Sequence, residues 1–127
     1  MSKLPQTDLA EGYRISRLIK GGWQLAGDHG PVEPARAIED MLAFFDAGFL
    51  AYDCADIYTG VEEMLGQFLA SLRDSRGAAA AASVKIHTKC VPDIALLGQL
   101  QKSDLVSTID RSLQRLGRDR LDLVQFH

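Results

Sequence analysis

The feature that most constrains this chain is the regular alternation of its hydrophobic period. Short apolar runs of strand type trade places with longer stretches of helical spacing. YRISRLIKGGW (13–23) reads as a strand or hairpin closed by Gly21 and Gly22. Turn chemistry in AGDHGPVEP (26–34) leads to Pro34, which suits the first turn of a helix. Ile38, Met41, Leu42 and Phe45 then follow at helical spacing, and Gly48 stands where a C-terminal cap belongs. FLAYD (49–53) is a second short strand, and Val61, Met64, Leu65, Phe68, Leu69 and Leu72 mark a second amphipathic helix ending near Gly77. The alanine run 78–82 reads as helix tail or loop, and VKIHTK (84–89) as a third strand. Ser103 is placed to cap a third helix with the stripe Leu105, Ile109, Leu113, Leu116 and Gly117 behind it. LDLVQF (121–126) is a fourth strand, with His127 after it.

The order β-α-β-α-β-α-β asks for an α/β fold with a parallel sheet and crossover helices. No GxGxxG follows the first strand and no GxxxxGK[ST] occurs, which argues against dinucleotide-binding and P-loop sheets. A (β/α) barrel remains, and its complete form takes ~250 residues. The 127 residues therefore predict the N-terminal half of a (β/α)8 TIM barrel, about four strands and three helices. Residues 1–12 are expected to be a tail, and 13–127 the partial barrel domain.

Composition excludes several classes. Net charge is −3 with scattered Lys and Arg, so no nucleic-acid partner is expected. No apolar run approaches the ~18 residues of a membrane helix, and the opening MSKLPQTDLAEG lacks a signal-peptide core. Cys54 and Cys90 are too few for a disulfide framework or a zinc site, so no metal is expected. A soluble, reduced, cytoplasmic chain is the expectation.

Barrel enzymes keep their chemistry at the C-terminal ends of the strands. Asp53, Lys89 and His127 stand there. Alternation along the third strand puts Val84, Ile86 and Thr88 on one face and Lys85, His87 and Lys89 on the other. The apolar face should meet helices and the polar face should line the barrel. Tyr58, on the loop after Asp53, could reach the same space. By the same parity Cys54 and Cys90 turn away and are expected to be buried, inert thiols.

GFLAYDCADIYTGVEEMLG (48–66) resembles the signature of the aldo-keto reductase family, and IHTK (86–89) and LDLVQFH (121–127) are similar to its third- and fourth-strand endings. The motifs come in family order and cover nearly all of the chain from about Arg17. Leu50 and Ala51 depart from the basic or small polar residues the signature prefers, and the gap to Glu62 is slightly longer. The resemblance implies an NADP(H)-dependent oxidoreductase that interconverts carbonyls (aldehydes, ketones, aldoses) and alcohols. Tyr58 would be the general acid, Lys89 the cation beside it, Asp53 the anchor of Lys89, and His127 a hydrogen-bond donor to the substrate oxygen. That set makes chemical sense, because a free tyrosine has a pKa of about 10 and a neighbouring cation favours its phenolate. Gly22, Trp23 and Asp53 would line the cofactor site.

Each residue alone has a plainer reading. Asp53 could be a strand-end residue, Lys89 a solvated charge, Trp23 core packing, His29 a loop residue, and His87 barrel-lining structure. Glu62 and Glu63 suit the first turn of a helix electrostatically, although Glu62 also matches the family signature. In the resembling family the adenosine and phosphate end of the cofactor is held mainly by the second half of the barrel. The chain is therefore expected to be a fragment or truncated reading frame, with its open sheet edges available for self-association. The alternatives are a catalytically silent half-barrel that binds or regulates another protein, and a barrel aldolase with a Schiff-base lysine.

Overall fold

A computed structural model of the chain describes residues 4–127. β1 (Gln6–Ala10) and β2 (Tyr13–Ser16) pair antiparallel, turning at Gly12, whose φ of +73° favours glycine. A separate parallel sheet holds β3 (Ile19–Gly21), β4 (Ala51–Asp53), β5 (Lys85–Cys90) and β6 (Leu123–Phe126) in the order β3-β4-β5-β6. Helices α1 (Pro34–Asp46), α2 (Val61–Arg76), α3 (Ala78–Ser83) and α4 (Lys102–Leu116) supply the crossovers, with α2 and α3 sharing one of them. Strands that follow spatial order without reversal are the winding of a barrel, whereas a doubly wound sheet reverses at a switch point. The half-barrel reading of the sequence holds.

The helices form where the apolar stripes predict. Pro34 opens α1, and Gly48 follows its end at a φ of +102°. α2 carries Glu62 and Glu63 in its first turn and Arg73 and Arg76 in its last, each matching the helix dipole. Its stripe Val61, Leu65, Phe68, Leu69 and Leu72 packs with Met41, Tyr52, Ile86 and Leu116 in one core between helices and sheet. Each large side chain fully enclosed there contributes roughly 1.5–3 kcal/mol. α2 and α4 approach closely at Gly66, where a Cβ would come within 2.5 Å of the Arg115 carbonyl oxygen.

Three local expectations are corrected. The stretch read as a tail holds strand β1 over Gln6–Ala10, while residues 1–3 lie outside the described residues. Its side chains are mostly exposed and its order comes from backbone pairing, so it leaves little hydrophobic signal. The alanine run is a short helix of its own, separated from α2 by Gly77. The cap of α4 is Gln101, reciprocated by Asp104 in a capping box, so Ser103 lies inside the first turn.

The β1–β2 hairpin sits against the starts of the parallel strands. Ser16 Oγ accepts from the amides of Leu50 and Ala51 (3.1 and 3.3 Å) and donates to the Leu18 carbonyl (2.7 Å). Tyr13 Oη and His87 Nε2 are 2.8 Å apart across the face of β5 opposite the helices. The hairpin thus covers part of the polar face of β5.

Candidate active site

Asp53 ends β4, and Lys89 lies beyond it on β5, because the parallel register sets Asp53 opposite His87. Both side chains leave the sheet on the face away from the helices, as alternation predicts. Lys89 Nζ donates to Asp53 Oδ1 (2.8 Å), Asp53 Oδ2 (2.7 Å) and the Cys54 carbonyl (2.8 Å). An ammonium has three protons, so its donors are all engaged and its position is fixed. The same Nζ lies 5.4 Å from the centroid of the Tyr58 ring, within cation–π range. No protein partner accepts from the Tyr58 hydroxyl among the described residues.

Tyr58 owes its place to the loop after β4. The Cys54 amide donates to the His87 carbonyl (2.7 Å) and the Asp56 amide to the Lys89 carbonyl (3.0 Å), so the loop continues the ladder past the end of β4. The Val91 amide donates to Asp56 Oδ1 (3.0 Å). Tyr58 then turns back, its amide donating to Ala55 and its carbonyl accepting from Val61, both at 3.1 Å.

Gly22 lies on this corner. A Cβ there would stand 2.6 Å from the Asp53 carbonyl oxygen and 3.0 Å from Val61 Cγ1, so the chain leaving β3 crosses β4 only as glycine. Trp23 opens a short 3-10 turn (Trp23–Ala26) with its ring half-exposed, edge-on to His29 at 4.4 Å between centroids. It is not core packing.

The sequence-predicted residues are therefore only partly gathered. Asp53, Tyr58 and Lys89 form one contact group, with Gly22 packed on Asp53. His127 extends β6 by one rung, its amide donating to the Cys90 carbonyl (3.0 Å). Its side chain is exposed, and among the described residues no hydrogen bond joins it to the other three.

The sequence reading undervalued Glu62. It is completely buried, accepts from Thr88 Oγ1 (2.9 Å) and pairs with Arg115 Nη1 (3.0 Å). A buried carboxylate stripped of such partners costs several kcal/mol, so this pair is a structural necessity beyond any dipole effect. Its spacing to Leu65 and Leu69 was the available signal: a carboxylate on the apolar stripe of α2 requires a partner. Asp56 and Arg115 gave no such signal, because a single charge on a loop or near the end of a helix reads as a solvated group.

The remaining titratable groups fall outside this corner. Burial, followed by the Glu62 charge, pushes the Cys54 thiol up to about 12, and Cys90 is buried too, as expected of inert thiols. Burial lowers the His87 imidazole below its ordinary range. It also raises the Tyr13 phenol to about 12, with Asp122 adding to the rise. No cluster of metal-ligating side chains occurs, and no helix is long and apolar enough to cross a membrane, among the described residues. A groove of about 850 Å³ between α2, α3 and α4 shares no residue with the Asp53–Tyr58–Lys89 group.

Comparison with known proteins identifies the family of the chain. The model of the aldo/keto reductase family matches residues 17–127. A Pseudomonas aeruginosa protein described as an aldo-keto reductase is 26% identical with a TM-score of 0.75, over 96% of this chain and 45% of that one. A thermostable aldo-keto reductase solved with the inhibitor epalrestat is 25% identical with a TM-score of 0.76, over 98% of this chain and 43% of that one. An aldo-keto reductase of the silkworm Bombyx mori, solved in complex with NADP, shares the fold at 22% identity and a TM-score of 0.79, over 100% and 39%. The chain thus spans less than half the length of these solved proteins. No curated protein matches it.

Proposed function

Because the chain belongs to the aldo/keto reductase family, we propose that it carries the carbonyl-reducing site of an NADP(H)-dependent oxidoreductase acting on small carbonyl compounds. The observation that carries this reading is Lys89, held by three acceptors with its charge against the Tyr58 ring. A fixed ammonium against this ring supplies positive charge beside the residue whose hydroxyl has no protein partner among the described residues and is free to donate to a carbonyl oxygen. Tyr58 is then the proton donor to the carbonyl oxygen. Lys89 is the electrostatic partner, and Asp53 keeps Lys89 from swinging into solvent. His127, at the next strand end, donates a hydrogen bond to the same oxygen and sets the angle of the substrate.

The residues present fit the reacting end of a nicotinamide cofactor. Trp23 offers a half-exposed aromatic face, and Gly22 brings the backbone down onto Asp53. Gly22, Trp23 and Asp53 would line that end. Bound there, the cofactor supplies the hydride. Lys89 is saturated by its acceptors and offers nothing to a cofactor phosphate. The self-association that open edges invite would use β3 and β6, which end the sheet. A cytoplasmic site of action suits two free, buried thiols.

Titration with NADPH, read through the single tryptophan, Trp23, tests the cofactor site. Saturable quenching with NADPH-dependent aldehyde reduction is expected, and Tyr58→Phe should lower turnover on the order of 10²–10⁴-fold while binding persists. Unchanged turnover in Tyr58→Phe would remove Tyr58 from the chemistry. Failure to bind NADPH would remove the cofactor from this chain.

A further inference from the structure

Glu62, Arg115 and Asp56 form a junction around a buried carboxylate that the proposed chemistry does not use, and its connections lead to the Tyr58 loop. Glu62 is completely enclosed at the start of α2. It is held from the sheet by Thr88, the residue before Lys89, and from α4 by Arg115. Arg115 does three things at once: Nη1 bonds Glu62 Oε1 and donates to the Asp56 carbonyl, both at 3.0 Å, and Nε pairs with Glu63 at 3.2 Å. Asp56 is itself pinned at its amide by the Lys89 carbonyl and at its side chain by Val91, with Arg111 Nη2 at 3.7 Å from Oδ2. Tyr58 stands two residues further on.

We propose that the Glu62–Arg115 pair, acting through Asp56, is the clamp that sets the Tyr58 ring against Lys89, which makes Glu62, Arg115 and Asp56 positioning residues. The proposal rests on Tyr58 being the proton donor only for its catalytic consequence; the placement itself is independent of that reading. The physical case is one of over-determination. A seven-residue connection such as 54–60 can hold an aromatic ring over one nitrogen only if its backbone is tied at several points. Here those ties reach β5, α2 and α4 together. Glu62 is the fixed centre because its burial compels Arg115 to stay, and the guanidinium reaches Glu63 from Nε while Nη1 serves Glu62 and the Asp56 carbonyl, a spread that a single ammonium nitrogen does not cover. The sheet side of the clamp, Thr88, and the target of the clamp, Lys89, are consecutive residues on opposite faces of β5. Any shift of β5 therefore moves both, and the ring stays in register with its cation.

The test is NMR of the isotopically labelled 127-residue chain, following the nuclear Overhauser contact between the Lys89 ε-methylene and the Tyr58 ring. The contact between Tyr13 and His87 serves as the control for the intact fold. Arg115→Lys keeps a cation for Glu62 but removes the fork. Asp56→Ala keeps the Arg115 bond to the backbone carbonyl but removes the side-chain ties to Val91 and Arg111, so it tests the Asp56 part of the clamp if Arg115→Lys does not fold. In the folded variants the Lys89–Tyr58 contact should disappear while the Tyr13–His87 contact stays. In NADPH-dependent assays kcat should fall roughly 100-fold with KM unchanged, as for a catalytic group displaced by about 1 Å. A Lys89–Tyr58 contact that persists in the folded variants overturns the clamp, as does its absence from the parent chain. A lost contact with undiminished kcat leaves the clamp standing and overturns the role of Tyr58 instead.

Discussion

Ile86 on β5 and Phe126 on β6 lie on the same side of one parallel ladder, since Cys90 pairs with Phe126 and shares the face of Ile86. Ile86 is completely enclosed, whereas Phe126 is 61% exposed. With Val124 and Phe126 against Ile86, Thr88 and Cys90, β6 is no less apolar than β5 on that face, so the contrast comes from their surroundings. β5 lies between β4 and β6, with the α2 and α4 core on one side and Tyr13 of the hairpin on the other. β6 has β5 as its neighbour in the described sheet and exposes residues on both faces. The candidate site divides along the same line. Asp53, Tyr58 and Lys89 are held by side-chain contacts, while His127, at the end of β6, is tied to Cys90 of β5 by a backbone bond.

The contrast can be broken most forcefully at the strand ends. Lys89→Met removes the charge beside Tyr58 and leaves Asp53 without its cation, and turnover of an aldehyde with NADPH should fall on the order of 10²–10⁴-fold. His127→Gln keeps a donor on a loosely held strand end and should cost less. Equal losses in the two variants, measured as kcat/KM, would mean that β6 positions its residue as firmly as β5 does.

Stability gives a second handle. Ile86→Ala empties a filled site and should cost about 2–5 kcal/mol in urea unfolding. Phe126→Ala removes a larger side chain from the same face of the neighbouring strand, yet should stay within about 0.5 kcal/mol. A large effect at Phe126 would reveal that a second copy of the chain covers β6 in solution, and the effect would then depend on protein concentration.

The same division governs what could be read from sequence. The order of elements, the stripe of α2 and the polar and apolar faces of β5 were legible because each is a period written in local residue spacing. Asp53, Tyr58 and Lys89 were legible through strand ends and the motif. β1 was not, because Gln6–Ala10 is ordered by pairing with a strand and not by burial. Gly22 reads in sequence as the close of the first strand, and only the approach of the Asp53 carbonyl gives its reason. The Glu62–Arg115–Asp56 junction joins residues 53 and 59 positions apart, and no local period encodes a partnership of that range.

Thr88 and Val124 are register partners and sharpen the comparison at smaller scale. Thr88→Val leaves Glu62 with one fewer donor in a sealed environment and should destabilise the chain by about 1–3 kcal/mol. Val124→Thr places a hydroxyl on an exposed position and should be close to neutral. Matching effects would show that Glu62 is reached by water and does not need its β5 donor.

The smallest expected effect lies on the inward face of β5. His87 is buried, and burial lowers its pKa in the folded chain, with Asp53 and Asp122 opposing the shift and Lys89 adding to it. The unfolded chain, with an imidazole pKa of about 6.5, therefore takes up its proton first as the medium is acidified. Stability from neutral His87 is full above about pH 6.5 and is lost as the pH falls below that value. Urea unfolding at pH 7.5 and 5.5 should show a larger acid loss in the parent chain than in His87→Gln, which keeps a polar partner for Tyr13 but cannot titrate. Identical losses would mean that the imidazole reaches solvent in the folded chain. The hairpin would then not seal the inward face of β5, and the two strands would differ on their helix side alone.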